Sequence, residues 1–227
     1  MKVLIVEDEP KTGDYLKQGL AEAGFSCDLL RDGLDGMHEA LAGDYDLLIL
    51  DVNLPGLDGW QVLARIRALS TVPVVMLTAR GDEAEVLRGF AGGADDYVTK
   101  PFSFAQLAAR IKAVTERAAP DRAEGGAVLR GADLEVDTVR HRVLRAGHPV
   151  ELTPTEFSIL ATLLREPGRV LSARQIVTAV WGAEFVEETG YIRRYVWHLR
   201  QKLELDARNP RYILNERGVG YVFPAET

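Results

Sequence analysis

The sequence predicts an α/β unit built on a doubly wound, five-stranded parallel sheet, followed by a smaller α+β unit. Three observations carry that prediction. Before residue 118, short apolar runs alternate five times with amphipathic stretches, as in a parallel sheet covered by helices. A polar stretch rich in breakers comes next, Ala119-Pro120-Asp121-Arg122-Ala123-Glu124-Gly125-Gly126. Beyond it the order changes to short strands, three helices and a terminal hairpin. The 227 residues suffice for two domains, expected at 1–118 and 127–227 with 119–126 as linker.

Each element has a local reason. Val3–Val6 and Leu47–Leu50 are continuously apolar, which suits strands covered on both faces; Cys27–Leu30, Val72–Leu77 and Asp96–Val98 complete the expected sheet. Amphipathic stretches near 10–23, 33–42, 58–69, 82–91 and 103–117 supply the helices. In the second unit the β-like stretches are Ala127–Leu129, Leu134–Asp137, Arg142–Leu144 and Pro149–Leu152, and helical patterns follow at 154–165, 172–180 and 188–204. Thr153 reads as an N-cap with Pro154 at N1 and Glu156 at N3 of a capping box, and Ser172 with Gln175 repeats the signature. Tyr212–Leu214 and Tyr221–Phe223 form the hairpin, turned through Arg217-Gly218-Val219-Gly220.

Composition narrows the function classes. With 47% hydrophobic and 27% charged residues the chain is ordinary globular, and its longest apolar runs are strand length, far short of a bilayer span. The amino terminus meets acids directly after Val6 and lacks a signal-peptide pattern, so a cytoplasmic location is expected. Cys27 is the only cysteine, which excludes an intrachain disulfide and a cysteine metal site. The net charge of −7 is uneven: residues 1–120 hold 12 Lys and Arg against 19 Asp and Glu, whereas 121–227 hold 15 of each. Within the neutral half, Gly190–Leu203 carries Arg193, Arg194, Arg200 and Lys202 and no acid, a local patch suited to a phosphate backbone.

The first candidate site lies where the strands end. Glu7 and Asp8 close the first strand and Asp51 closes the third; in a doubly wound sheet these ends converge where strand order reverses. Three adjacent carboxylates repel one another unless a divalent cation neutralises them, and an oxygen-only, open site suits magnesium. Thr78 closes the fourth strand with a hydroxyl, and Lys100, after the fifth, offers an ammonium for a phosphoryl oxygen. Pro101 restricts the loop that aims Lys100, with a cis bond as one option.

This pattern resembles the receiver domain of two-component response regulators, a flavodoxin-like fold, through Glu7-Asp8, Asp51, Leu54-Pro55-Gly56-Leu57-Asp58-Gly59, Thr78-Ala79-Arg80, Gly93-Ala94-Asp95-Asp96-Tyr97 and Lys100-Pro101-Phe102. The resemblance covers residues 1–118 and implies that Asp51 accepts a phosphoryl group from the phosphohistidine of a sensor histidine kinase. It further implies Mg2+ held by Asp8, Asp51 and the Asn53 backbone carbonyl, with Glu7 acting through water. Thr78 and Lys100 would grip the phosphoryl oxygens, and Tyr97 would change rotamer with Thr78. The implied homodimer uses the fourth helix, fifth strand and fifth helix of the receiver, with Arg88, Asp95, Asp96 and Arg110 available; a usual Lys–Glu pair falls on Val86 and Gln106, so the dimer is expected to persist with altered phosphorylation dependence.

The second candidate site follows from the layout helix, helix, basic helix and hairpin, that of a winged helix-turn-helix. Ile192, Val196, Leu199 and Leu203 form a core stripe, leaving Arg193, Arg194, Trp197, Arg200 and Gln201 outward with Tyr195 and His198 flanking; Lys202 adds charge and Arg217 stands at the hairpin tip. Leu152-Thr153-Pro154-Thr155-Glu156-Phe157, Val180-Trp181-Gly182, Leu199-Arg200-Gln201-Lys202-Leu203 and Arg217-Gly218-Val219-Gly220-Tyr221 resemble the effector domain of the winged-helix class of response regulators. That resemblance implies a transcription regulator, not an enzyme, which binds duplex DNA as a dimer on tandem repeats and meets RNA polymerase through the loop near Trp181–Thr189. Ile192-Arg193-Arg194-Tyr195 resembles potassium-uptake regulators, whereas Lys11–Leu16 and Gly43–Asp46 resemble heavy-metal-responsive ones, so the stimulus stays open. A dehalogenase-like phosphatase would need an acid two residues after Asp51, where Asn53 stands. A nucleotide binder would need a glycine-rich loop where Glu7-Asp8-Glu9-Pro10 stands. A signalling module with a protein-binding carboxyl half would give DNA binding indifferent to salt.

Overall fold

A computed structural model describes residues 1–79, 93–118, 128–183, 186 and 189–225. The expected helix at 82–91 and the linker at 119–126 lie outside these residues. The chain divides into two compact units, Met1–Thr115 and Glu116–Thr227.

In the first unit, β1 (Lys2–Val6), β2 (Ser26–Leu30), β3 (Leu47–Asp51), β4 (Val74–Ala79) and β5 (Asp96–Lys100) form one parallel sheet in the order β2-β1-β3-β4-β5. The described helices are α1 (Pro10–Glu22), α2 (Gly33–Ala42), α3 (Gly59–Arg67) and α4 (Phe104–Ala118), whose last three residues are counted in the second unit. Alternate strand residues serve opposite faces. Val3, Ile5, Leu47, Ile49, Val75, Leu77 and Val98 pack with Leu16 and Leu20 of α1 and Leu107, Ile111 and Val114 of α4. Continuous apolar runs in β1 and β3 are thereby explained, since both faces of the sheet are buried. β4 and β5 each extend two residues beyond the expected ends, to Ala79 and Lys100. Both extensions carry polar side chains of the candidate site, which apolar content alone does not mark as strand.

The crossover from β2 past β1 to β3 creates the switch point, so the carboxyl ends of β1 and β3 flank a crevice. Two glycines permit close approach there. A Cβ on Gly59 would lie 2.1 Å from the Asp51 carbonyl oxygen, and one on Gly33 would lie 1.9 Å from that of Leu57. Asp58 caps α3 by accepting from the Gln61 amide at 2.8 Å, which fixes the helix start directly below the loop that follows Asp51.

The second unit opens with an antiparallel sheet of β6 (Val128–Gly131), β7 (Leu134–Asp137), β8 (Arg142–Arg145) and β9 (His148–Val150). Then come α5 (Pro154–Arg165), α6 (Ala173–Trp181), a 3-10 turn Thr189–Tyr191, α7 (Ile192–Leu203) and the hairpin of β10 (Leu214–Glu216) and β11 (Gly220–Val222). Both expected capping boxes form, Thr153 with Glu156 and Ser172 with Gln175. The hairpin starts later than its apolar residues suggest, because the amides of Arg211, Tyr212 and Ile213 donate to the Glu204 carboxylate at 2.8, 2.8 and 3.2 Å and are lost to strand pairing. Leu171 bridges Tyr221, adding a third strip to the wing. No helix among the described residues is long and apolar enough to cross a membrane.

Candidate functional site

The carboxyl edge of the parallel sheet brings the first set of expected residues together. Carboxylate oxygens of Glu7, Asp8 and Asp51 lie within 4.8 Å of one another, a cluster able to hold a metal ion. Glu7 is fully buried and Asp51 is 2% exposed, whereas Asp8 faces solvent. Lys100 spans the two buried acids. Its ammonium donates to Glu7 Oε2 at 2.7 Å and makes a charge contact with Asp51 Oδ1 at 3.0 Å, without the alignment of a hydrogen bond. The Lys100–Pro101 bond is cis, the option raised by the sequence.

Burial sets the electrostatics. It pushes the Asp51 carboxyl above the ordinary range, with Lys100 pulling the other way. Burial also raises Glu7, opposed by its Lys100 hydrogen bond and reinforced by the Asp51 charge. Lys100 itself is pushed down by burial, but Glu7 and Asp51 outweigh that and hold its ammonium above the usual value. Among the described residues, one ammonium faces three carboxylates, which leaves a net negative cup.

Thr78 follows Leu77, the register partner of Asp51, and so stands at the same sheet edge; its hydroxyl is fully buried and has no hydrogen-bond partner among the described residues. Asn53 is exposed in the loop after β3. Tyr97 is 5% exposed, its ring 6.2 Å from that of Trp60.

The residues expected at a dimer face divide differently. Arg88 lies outside the described residues, as do Val86 and Arg80. Asp95 requires correction: it is fully buried, accepting from Arg67 at 2.8 Å and from the Val74 amide at 3.0 Å. Arg67 also donates to the carbonyls of Gly93 at 2.7 Å and Val72 at 2.6 Å, tying the end of α3 to the amino ends of β4 and β5. Nothing in the spacing of Arg67 announces this, since all its partners are distant in sequence or backbone atoms. Asp96 and Arg110 pair with each other at 2.6 Å inside the domain, and both are largely buried.

On α7 the outward face is narrower than expected. Ile192, Val196, Leu199 and Leu203 are buried as the stripe predicts, but Tyr195 is 1% exposed and packs on Trp181 with centroids 5.5 Å apart. Tyr195 is therefore a core residue, not a flanking contact. The signal was present: Tyr195 is three residues after Ile192 and four before Leu199. Arg200 donates to the Ile213 carbonyl from Nε at 3.0 Å and Nη2 at 2.6 Å, which locks the helix to the chain entering the hairpin. Lys202 pairs with buried Glu156 at 2.7 Å. Both are thus occupied inside the unit. Arg193, Trp197 and Gln201 are exposed, Arg194 and His198 half-buried, and Arg217 is exposed at the wing.

The geometry now stands beside known proteins. The family described as "Response regulator receiver domain" matches residues 3–112, and "Transcriptional regulatory protein, C terminal" matches residues 147–223. The chain belongs to the two-component response regulators that join a receiver to a DNA-binding domain, and it is a transcriptional regulator rather than an enzyme. It is 46% identical to the transcriptional activator protein IrlR of Burkholderia pseudomallei, over 98% of this chain and 95% of that one. It is 44% identical to the transcriptional regulatory protein CusR of Escherichia coli, over 98% and 97% respectively. Among solved structures, a point mutant of RitR matches with a TM-score of 0.78 at 29% identity, covering 99% of both chains. The Thermotoga maritima OmpR/PhoB homolog DrrB matches with a TM-score of 0.52 at 29% identity, again over 99% of each.

Proposed function

We propose that Asp51 is the phosphoacceptor and that its phosphorylation by a sensor histidine kinase controls DNA binding by the second unit. The observation that carries this reading is the Lys100 ammonium held against two buried carboxylates beside a Thr78 hydroxyl that has no hydrogen-bond partner among the described residues. The donor set fits magnesium: oxygen atoms only, three carboxylates, and an exposed Asp8 that leaves room for retained water. Asp8 and Asp51 would hold it with the Asn53 carbonyl, Glu7 acting through water, and when bound it supplies positive charge opposite the phosphoryl oxygens. An Asp51 oxygen attacks phosphorus, the P–N bond to the kinase imidazole breaks, and the imidazole leaves with the bonding pair. Lys100 exchanges its Asp51 contact for a phosphoryl oxygen, and Thr78 donates to another. Withdrawal of Thr78 towards the phosphoryl group changes the packing beside the buried Tyr97 ring, and a coupled change of Tyr97 rotamer links the chemistry to the outer face of the receiver.

The receiver then extends over 1–118, the linker over 119–126 and the DNA-binding domain over 127–227. The protein works in the cytoplasm as a homodimer on tandem DNA repeats, and the segment near Trp181–Thr189, partly outside the described residues, meets RNA polymerase. A dimer through Asp96 and Arg110 must exchange their internal bond for an equivalent one across the interface. Arg193, Arg194 and Arg217 supply the base and phosphate contacts, with Trp197 and His198 beside them. Asp51→Asn is expected to abolish labelling by a small phosphodonor such as acetyl phosphate in magnesium; retained labelling would place the acceptor elsewhere.

A further inference from the structure

Resting on the DNA-binding reading above, we infer that Trp197 sets operator specificity by seating its indole against the 5-methyl group of a thymine. Every other large apolar residue of α7, namely Ile192, Tyr195, Val196, Leu199 and Leu203, is at most 1% exposed, whereas Trp197 is 51% exposed. It stands between Arg193 and Gln201 at four-residue steps, so the three exposed side chains form one row along the helix. The Trp197 ring rests edge-on to His198, centroids 4.8 Å apart at 80°, which orients the indole. With Arg200 and Lys202 engaged inside the unit, this row and the half-buried Arg194 and His198 are what the helix offers a groove.

The chemistry selects the base. The major groove presents one apolar group, the thymine methyl; the other marks are hydrogen-bond donors and acceptors. Four residues of helix rise about 6 Å, close to two base steps of about 3.4 Å. The DNA positions met by Arg193 and by Trp197 therefore fall about two base pairs apart.

The test starts from duplexes selected out of random-sequence DNA by the full-length, beryllofluoride-treated protein. Thymidines in the selected duplex are replaced one at a time by deoxyuridine, which removes only the methyl. One position in each half-site is expected to weaken binding about fourfold. Trp197→Ala is expected to erase that penalty at an unchanged melting temperature. Indifference of the wild-type protein to every replacement overturns the inference and leaves DNA binding intact, as does a Trp197→Ala protein that keeps the full penalty. Recovery of no duplex at all overturns the underlying reading as well.

Discussion

Asp51 is held ionised at a cost. Its folded-state carboxyl titrates above its unfolded value because burial disfavours the charge more than Lys100 favours it. The sign follows: above the raised value the ionised group destabilises the fold, and the penalty fades as pH falls through it towards 3.8. Asp51→Asn should therefore raise the unfolding midpoint in magnesium-free buffer near neutral pH, with the difference from wild type shrinking on acidification; urea melts across that range would read it. Tyr212 shifts in the same direction, but from a starting value well above neutral pH, so it stays protonated there. Burial and its 2.5 Å bond to Asp133 push the phenol up to about 12, and the same bond lowers Asp133. The stabilisation is complete between these titrations, fading as pH rises from 10 through the raised phenol value and as pH falls through the lowered Asp133 value. Tyr212→Phe is expected to cost about 1–2 kcal/mol at pH 7, and less in strong acid. The acidic cup was legible because chemistry-bearing residues interrupt apolar runs at strand ends. Tyr212, by contrast, reads as an ordinary strand residue until Asp133, distant in sequence, is seen beside it.

At the scale of the element, α7 divides its cations between two tasks. Arg200 holds the Ile213 carbonyl, so Arg200→Ala should lower stability by about 1–3 kcal/mol and weaken DNA binding only through that loss. Arg193→Ala should leave stability unchanged and reduce the slope of log affinity against log salt by about one if Arg193 neutralises a phosphate. Arg194→Ala should lower operator affinity by about 1–3 kcal/mol if it reads a base. Paired melting and salt-titration measurements on the three variants separate the tasks, and equal effects on stability would refute the division. Periodicity located this helix and its core stripe. It did not reveal which outward cations were already bound, because a hydrogen bond to a carbonyl in the following loop has no period. Gly59 makes the same point: the residue is visible in the sequence, but its 2.1 Å constraint against Asp51 is set by how α3 returns to β3.

At the scale of the whole molecule, the division into two compact units predicts that their chemistry is separable. A fragment of residues 1–118 should still label from a phosphodonor, and one of residues 127–227 should still bind duplex DNA in a salt-dependent manner. Loss of labelling from the first fragment would mean that the acceptor site needs the second unit. For the intact chain, gel filtration with beryllofluoride should show dimers, and monomers both with and without it would refute the receiver dimer. Taken alone, the sequence determined the two-unit order, the strand and helix types, the cap positions and the acidic cup. Those features are written in local periodicity and in the residue types at element ends. Tertiary structure alone decided that Asp95 serves Arg67, that Tyr195 belongs to the core, and that Arg200 and Lys202 are engaged while Trp197 stands exposed. The physical reason is that burial and long-range pairing depend on which surfaces meet, and the chain fixes those meetings only once it is folded.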